Sequence, residues 1–198
     1  MRKKKIIFRM MAVAVMALTA AIPASAQKVG LKTNLINDIA LSPNLGVEVG
    51  VAPKWTLQLS GQVNFWEIDN RRWKHAMISP EARYWFCQRF AGHFLGIHAL
   101  GGYYNFGNLN IPINFLGSDF KNLKDNRYQG WGAGAGVNYG YAWPVHKHWN
   151  IEAEIGIGWI YTRYDSYPCE VCGTKKESDR PHNYFGPTKL GVNVEYIF

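Results

Sequence analysis

Two cysteines in the last third of the chain have a spacing that supports redox or metal chemistry. Cys169 and Cys172 form a Cys-x-x-Cys pair, the spacing of a thiol–disulfide centre or of half a zinc site. The sequence contains no second pair, and residues 167–183 have the polar composition of a loop. We therefore predict a disulfide between Cys169 and Cys172, with metal binding as the alternative, and a free thiol at Cys87.

Six histidines are the other candidates for acid–base or metal chemistry. His146 and His148 lie in a predicted turn, and the sequence offers them no third ligand. His98 lies in a predicted strand without an obvious serine partner, which a nucleophilic enzyme would need. We therefore predict no catalytic residue, no metal ligand and no cofactor.

Charged residues recur at every second position within otherwise apolar segments. In residues 149–161, for example, Glu152 and Glu154 alternate with Ile151 and Ile155. A strand directs successive side chains to opposite faces, so this pattern gives one charged face and one apolar face. The predicted network of interior charges comprises Lys32, Glu48, Glu81, Arg83, Glu152, Glu154, Lys189 and Glu195.

Alternating segments of this kind recur eight times, whereas helical periodicity is absent. Residues 55–65 and 131–141 are clear examples, with about the 9–11 residues that a tilted membrane crossing needs. Short connections such as 52–54 alternate with long ones such as 105–129, and the last long loop is predicted at 162–183. Because this arrangement is typical of bacterial outer-membrane proteins, the predicted fold is all-β, an eight-stranded antiparallel up-and-down transmembrane β-barrel.

The composition of the two faces indicates which one points inward. Glycine weakens a strand, so the alternating Gly132, Gly134 and Gly136 suit a crowded barrel interior. Aromatic residues bracket the apolar rows, as Trp149 and Trp159 do, and Trp favours membrane interfaces. We therefore predict that the apolar face meets lipid. The charged network would then fill the barrel as a plug, since eight strands enclose little more than side chains, and an ion or proton path is the alternative.

The first 26 residues have the features of a secretory signal peptide. A basic start and an apolar run precede Ala24-Ser25-Ala26, a small-residue cleavage pattern. The predicted organisation is a cleaved signal peptide at 1–26 and a barrel domain at 27–198, in the outer membrane of a Gram-negative bacterium with both termini periplasmic. Without residues 1–26 the net charge falls from +8 to +3. The main indication of a nucleic-acid partner disappears with them.

The last predicted strand has a row of alternating apolar side chains that ends on an aromatic residue. Bacterial outer-membrane barrels commonly end in this way, and their assembly machinery recognises the row. We therefore expect the barrel-assembly machinery to bind the last strand. The predicted assembly signal comprises Leu190, Val192, Val194, Tyr196 and Phe198.

Three segments resemble the family catalogued as domain of unknown function 3575: SPEARYWF at 79–86, IEAEIGIGWIY at 151–161 and YFGPTKLGVNVEYIF at 184–198. The resemblance covers essentially all of the chain after residue 26. It implies a small outer-membrane barrel, and genes of this family sometimes neighbour fimbrial genes. The resemblance implies no established chemistry.

The predicted function is a non-enzymatic structural or surface-interaction role, with outer-membrane lipid, lipopolysaccharide and a surface or fimbrial protein as partners. Residues 66–74 interleave Trp with basic residues, which suits either lipopolysaccharide phosphates or an interfacial belt. Residues 105–129 include apolar side chains that could fold over the barrel mouth or contact a partner. A lipid-modifying enzyme and a narrow channel are the alternative functions.

Overall fold

The computed structural model describes residues 28–68, 71–107, 114–115, 118–119, 126–168 and 175–198. The predicted signal peptide and the pair Cys169 and Cys172 lie outside these residues. The elements are β1 (Val29–Asn34), α1 (Leu35–Ile39), β2 (Asn44–Ala52), β3 (Trp55–Asn64), β4 (Glu67–Ile68), β5 (Arg71–Trp85), β6 (Gly92–Gly107), β7 (Asn114–Phe115), β8 (Ser118–Asp119), β9 (Arg127–His146), β10 (Trp149–Tyr167) and β11 (Glu177–Ile197).

Eight of these strands form one closed antiparallel ring. Each of β1, β2, β3, β5, β6, β9, β10 and β11 pairs with its neighbour in chain order, and β1 pairs with β11 to close the ring. The amide N of Phe198 also donates a hydrogen bond to Val29 O at 2.9 Å, beside this junction. The predicted all-β fold of eight antiparallel strands is therefore confirmed.

The two ends of the ring carry different connections. Residues 53–54, 86–91 and 147–148 form short turns at the end that also holds Val29 and Phe198. The opposite end carries the longer connections and the helix α1. The sequence analysis did not predict α1, because five residues are too few to show a helical period. The Asn34 side chain caps this helix by accepting a hydrogen bond from Ile36 N at 3.1 Å. No helix in the described part of the chain is long and apolar enough to cross a membrane.

Five strands are longer than predicted. Strands β5, β6, β9, β10 and β11 contain 15 to 21 residues, and the loop expected at 162–183 is largely strand. Strand β1 ends where Asn34 pairs with Asn193, so the earlier residues of β11 project beyond it. The parts of these strands that project beyond β1 do not need a continuous apolar face. Hydrophobic alternation therefore did not predict that they are strands.

The predicted alternation of faces is confirmed along β3, β9 and β10. On β10, Glu152 and Glu154 are buried, whereas Ile155 and Ile157 are exposed on the outer surface. The phase of β6, which the sequence left open, places Phe94, His98 and Leu100 inside the ring. Apolar residues occupy both faces of β6, with Leu95 and Ile97 outside, and this is why its pattern was ambiguous.

The candidate site, a buried ionic network

Arg83 lies at the centre of the ring with its guanidinium completely buried. Its Nε atom donates to Glu81 Oε1 at 2.6 Å, and Nη2 donates to Glu154 Oε2 at 3.0 Å. Its Nη1 atom donates to Glu48 Oε2 at 3.0 Å and to Glu152 Oε2 at 2.8 Å. One planar cation thus joins carboxylates from β2, β5 and β10, a geometry that the fixed fork of arginine donors allows.

Lys32 of β1 is the second buried cation. Its Nζ atom pairs with Glu48 and lies 3.2 Å from Glu152 Oε2 and 3.5 Å from Glu195 Oε1. Register explains these contacts, since Lys32 faces Glu195 directly across the β1–β11 junction. Lys32 therefore ties the first strand to the last one through charge as well as through backbone hydrogen bonds.

A β-bulge brings the third cation into the network. Between Gly156 and Ile157 the β10–β11 register shifts, so that Thr188 has no partner in β10. Thr188 and Lys189 can then both reach the interior, although they are consecutive. The Lys189 Nζ atom pairs with Glu81 and lies 3.2 Å from Glu154 Oε2.

Two buried asparagines, whose contacts the sequence did not reveal, add hydrogen bonds to Glu81, Glu152 and Glu154. Asn138 Nδ2 donates to Glu81 Oε1 at 2.8 Å and to Glu154 Oε2 at 3.1 Å. Asn193 Nδ2 donates to Glu152 Oε1 at 2.8 Å and to Glu154 Oε1 at 3.0 Å. Both asparagines lie at positions of the alternating pattern that face inward, so the pattern predicts their direction but not their contacts.

His98 has a threonine hydroxyl as a partner, where the sequence showed no obvious serine. Its Nε2 atom lies 2.9 Å from Thr188 Oγ1, and its Nδ1 atom lies 3.1 Å from Asn138 Oδ1. Because the Asn138 amide nitrogen donates to Glu81 and Glu154, its oxygen must accept from His98. His98 Nδ1 therefore carries a proton, and Nε2 bonds to the Thr188 hydroxyl. Thr188 lies in a bulge 90 positions after His98, so the local sequence pattern gave no sign of this contact.

An aromatic layer lies between the ionic network and the short turns. The rings of Trp85 and Phe94 are 4.8 Å apart, and both side chains are fully buried. Trp85 Nε1 donates to Thr56 Oγ1 at 2.9 Å, and Arg83 lies over the Phe94 ring at 4.4 Å. Phe90, from the turn after β5, packs against Trp85. This layer covers one side of the charges with apolar surface.

A polar cavity of about 170 Å³ lies on the other side of the network. Lys32, Gln58, Thr188 and Lys189 are among its lining residues. The Gln58 Oε1 atom is buried without a hydrogen-bond partner. A cavity of this size and polarity suits a few water molecules or a small polar solute. Aromatic layer, ionic network and cavity therefore follow one another along the ring axis.

All eight residues of the predicted charge network lie inside the ring and contact one another. Five carboxylates meet three cations, so the eight groups carry two more negative than positive charges when all are ionised. The Glu48 Oε1 and Glu195 Oε1 atoms have no hydrogen-bond partner. The arrangement is chemically a dense set of ion pairs held by backbone register, which fits the predicted plug.

The other predicted site residues lie elsewhere. Cys87 is a free, exposed cysteine. His148 Nδ1 bonds to Ile197 O at 2.8 Å, and the described residues contain no group of side chains suited to holding a metal. The predicted assembly row lies on the outer face of β11, where Leu190, Val192 and Phe198 are exposed and Val194 and Tyr196 are partly covered.

Replacing Arg83 with leucine should strongly destabilise the fold, because four carboxylates would lose their shared cation in a water-poor interior. We expect a loss of about 3–5 kcal/mol in the free energy of unfolding. The measurement is urea unfolding of the refolded protein in detergent micelles, followed by tryptophan fluorescence. The free energy of unfolding of Arg83→Lys should lie between those of the wild type and Arg83→Leu, because lysine keeps the positive charge and lacks the planar fork of donors that arginine has.

The matched control is Arg163→Leu, because Arg163 pairs at 2.7 Å with Asp179 on the exposed surface. Arg163→Leu should lower the free energy of unfolding by less than about 1 kcal/mol. If Arg83→Leu unfolds at the same urea concentration as Arg163→Leu, the network does not stabilise the ring.

Comparison with known sequences adds a family and no individual relative. No curated protein matches the chain significantly. A family model matches residues 10–198, which is nearly the whole chain. The chain therefore belongs to the family described as Protein of unknown function (DUF3575).

Proposed function

We propose that the chain is a non-enzymatic β-barrel protein of the Gram-negative outer membrane, with a structural or surface-interaction role. The observation that carries this proposal is the inverted distribution of polarity. Large apolar side chains such as Ile97 and Leu190 are more than half exposed on the outside, whereas Arg83 and Glu152 are completely buried inside. A water-soluble protein would leave this outer surface unfavourably exposed, and a lipid bilayer would cover it.

The height of the apolar band supports a membrane crossing. Trp149 and Trp159 face outward on β10, and because they are ten positions apart in the sequence they are about 33 Å apart along the strand. The usual tilt of barrel strands reduces this distance to about 25 Å across the membrane. Other aromatic side chains lie near the same two levels, with Trp131 and Tyr103 paired at one level and Trp55 and Tyr84 paired near the other. These rows correspond to the aromatic girdles at the two interfaces.

The filled interior favours a structural role over a channel. The buried pair of Trp85 and Phe94 closes the ring on the side of the short turns, and the ionic network occupies the centre. An ion moving along the axis would have to displace both layers. The proposed barrel is therefore a stable platform, and its function lies in what its surface displays.

The wall beyond β1 is the natural surface for a partner. Strands β9, β10 and β11 extend past Asn34 and carry the connections 108–126 and 168–176. We propose that this end faces the cell exterior and contacts a surface or fimbrial protein, whereas both termini are periplasmic. Residues 108–113, 116–117 and 120–125 of the connection predicted at 105–129 lie outside the described residues. Its predicted role, folding over the barrel mouth or contacting a partner, therefore stays a prediction.

Single cysteines at Ile39 and Lys147 would test the membrane topology in a variant whose three native cysteines are serines. Ile39 is highly exposed on α1, and Lys147 is exposed in a short turn at the opposite end. On intact cells, a membrane-impermeant maleimide should label Ile39→Cys, and Lys147→Cys should react only after the outer membrane is permeabilised. The reverse pattern would invert the topology, and equal labelling would contradict a membrane-spanning barrel.

Replacing Phe198 with serine would test the proposed recognition by the assembly machinery. The backbone hydrogen bond from Phe198 N to Val29 O remains possible in this variant, so only the exposed ring is lost. We expect secretion to continue and the outer-membrane yield of heat-modifiable protein to fall several-fold. Phe185→Ser removes another exposed phenylalanine of β11 and should leave the yield unchanged. Equal yields of the two variants would contradict the assignment.

One arrangement favours a second candidate function, an acyl-transfer enzyme. Thr188, which lines the cavity, forms with His98 and Asn138 a hydroxyl–imidazole–amide chain, the order of nucleophile, base and orienting group. We assign it a structural role because a cavity of about 170 Å³ lined by polar groups is too small for a lipid chain. Phenylmethylsulfonyl fluoride should therefore leave the protein mass unchanged. An adduct on Thr188 that is absent from Thr188→Val would favour the enzyme.

A further inference from the structure

Two glycines face outward without any local reason to be glycine. Gly61 of β3 and Gly101 of β6 lie on either side of Ile78 in β5 and share its outward direction. Neither has a positive φ angle. A Cβ atom at Gly61 would lie 3.8 Å from Met77 O, and one at Gly101 would lie 3.8 Å from Gly132 O, so both positions have room for a side chain.

The inward glycines have an ordinary explanation. A Cβ atom at Gly134 would lie 2.9 Å from Ile160 Cα, and one at Gly158 would lie 2.7 Å from Gly136 Cα. These positions are occupied by glycine because neighbouring strands leave no space. At Gly61 and Gly101 the space is empty on the protein side, and glycine in a strand costs stability. The missing side chains must therefore leave space for something outside the ring.

The space that they leave is an apolar groove on the outer wall, with a volume of about 570 Å³. Leu45, Val63, Ala76, Ile78 and Tyr103 are among its other lining residues. The groove lies within the apolar band and reaches the aromatic level of Tyr103. A neighbouring depression shares Ala76 and Tyr103 with the groove and continues past Phe65, Lys74 and Asn105.

A small basic group lies where the groove ends. Lys74 Nζ pairs with Glu67 Oε2 at 2.7 Å, and Arg72 Nη2 pairs with Glu67 Oε1 at 3.0 Å. Hydrogen bonds from Lys74 and Arg72 lower the pKa of Glu67 to about 2, so this carboxylate is ionised at neutral pH. The three groups therefore carry one net positive charge just above the aromatic level.

We propose that the groove holds one acyl chain of a phosphate-bearing membrane lipid, whose phosphate lies beside Lys74 and Arg72. This inference rests on the proposed membrane location. Within a bilayer, a depression in the apolar band is filled by hydrocarbon, and basic residues at the interface attract lipid phosphate. Burial of each methylene group in the groove adds favourable free energy, and the cationic group selects the headgroup.

A second copy of the chain fits this surface less well. A two-fold contact through the groove would bring the same patch of both copies together, as an isologous interface requires. The cationic groups around Lys74 would then approach each other at low dielectric, which is unfavourable. A lipid supplies the complementary negative charge instead.

Native mass spectrometry of the folded protein in detergent micelles would test this proposal. The probes are phosphatidylglycerol and diacylglycerol with identical acyl chains, so that the phosphoglycerol headgroup is the difference between them. We expect the wild type to bind one phosphatidylglycerol. Gly61→Leu and Gly101→Leu should each weaken this binding about tenfold, the equivalent of excluding roughly two methylene groups.

Controls separate the parts of the proposal. Ala135→Leu places the same leucine side chain at an outward position of β9 that does not line the groove, and should bind like the wild type. Lys74→Gln should weaken phosphatidylglycerol binding and leave diacylglycerol binding unchanged. Lys175→Gln removes a cation paired with Asp165 and should have no effect.

Three results would overturn the inference. Unchanged phosphatidylglycerol binding by both glycine variants would exclude the groove as the site. Equal binding of the two probes, with no effect of Lys74→Gln, would exclude the phosphate contact. A wild-type dimer that Gly101→Leu abolishes would show that a second copy occupies the groove. Flotation with lipid vesicles tests membrane insertion separately, so a protein that floats and fails these binding tests contradicts the groove alone.

Discussion

Neutralising Arg83 is the constraint on which the interior depends. Glu81 lies on the same strand as Arg83, whereas the other three carboxylate partners come from β2 and β10 and reach the guanidinium only when these strands assemble around it. An uncompensated charge at this depth would be very costly, and the pairing has little value as long as the strands are apart. Closure and charge pairing therefore require each other, which makes the fold cooperative although its core contains few apolar residues.

The remaining interior adapts to that centre. Three cations do not reach every carboxylate oxygen, and the amides of Asn138 and Asn193 supply additional donors to Glu81, Glu152 and Glu154. The bulge at Thr188 lets two consecutive residues of β11 point inward, so that one bonds His98 and Lys189 reaches the carboxylates. A regular strand would have directed one of the two side chains to the outer surface.

The sequence predicted those features that repeat with a period of two. Lys32, Arg83 and the five glutamates were identified as inward because charge alternates with apolar residues along each strand. Helix α1 was missed because five residues give no period. The contact between His98 and Thr188 was missed because it depends on a bulge and on ring closure, which bring together residues from distant strands. The local sequence pattern predicts which face of a strand a side chain lies on. Predicting its contact partners across the ring also requires the register in which the strands pair.

The projecting part of β11 shows how an exposed edge can be tolerated. Within the described residues, the backbone ladder between β11 and β1 ends at Asn193, and the Asn34 side chain bonds to Leu190 O and Val192 N just beyond it. The earlier residues of β11 pair with β10 and form no backbone ladder with β1. Pro181 and Pro187 interrupt the run of backbone donors there, and the Tyr184 hydroxyl donates to Pro187 O at 3.2 Å. Addition of a foreign strand is therefore disfavoured at this edge. A surface partner would accordingly contact the wall through side chains and connecting loops rather than by extending the sheet.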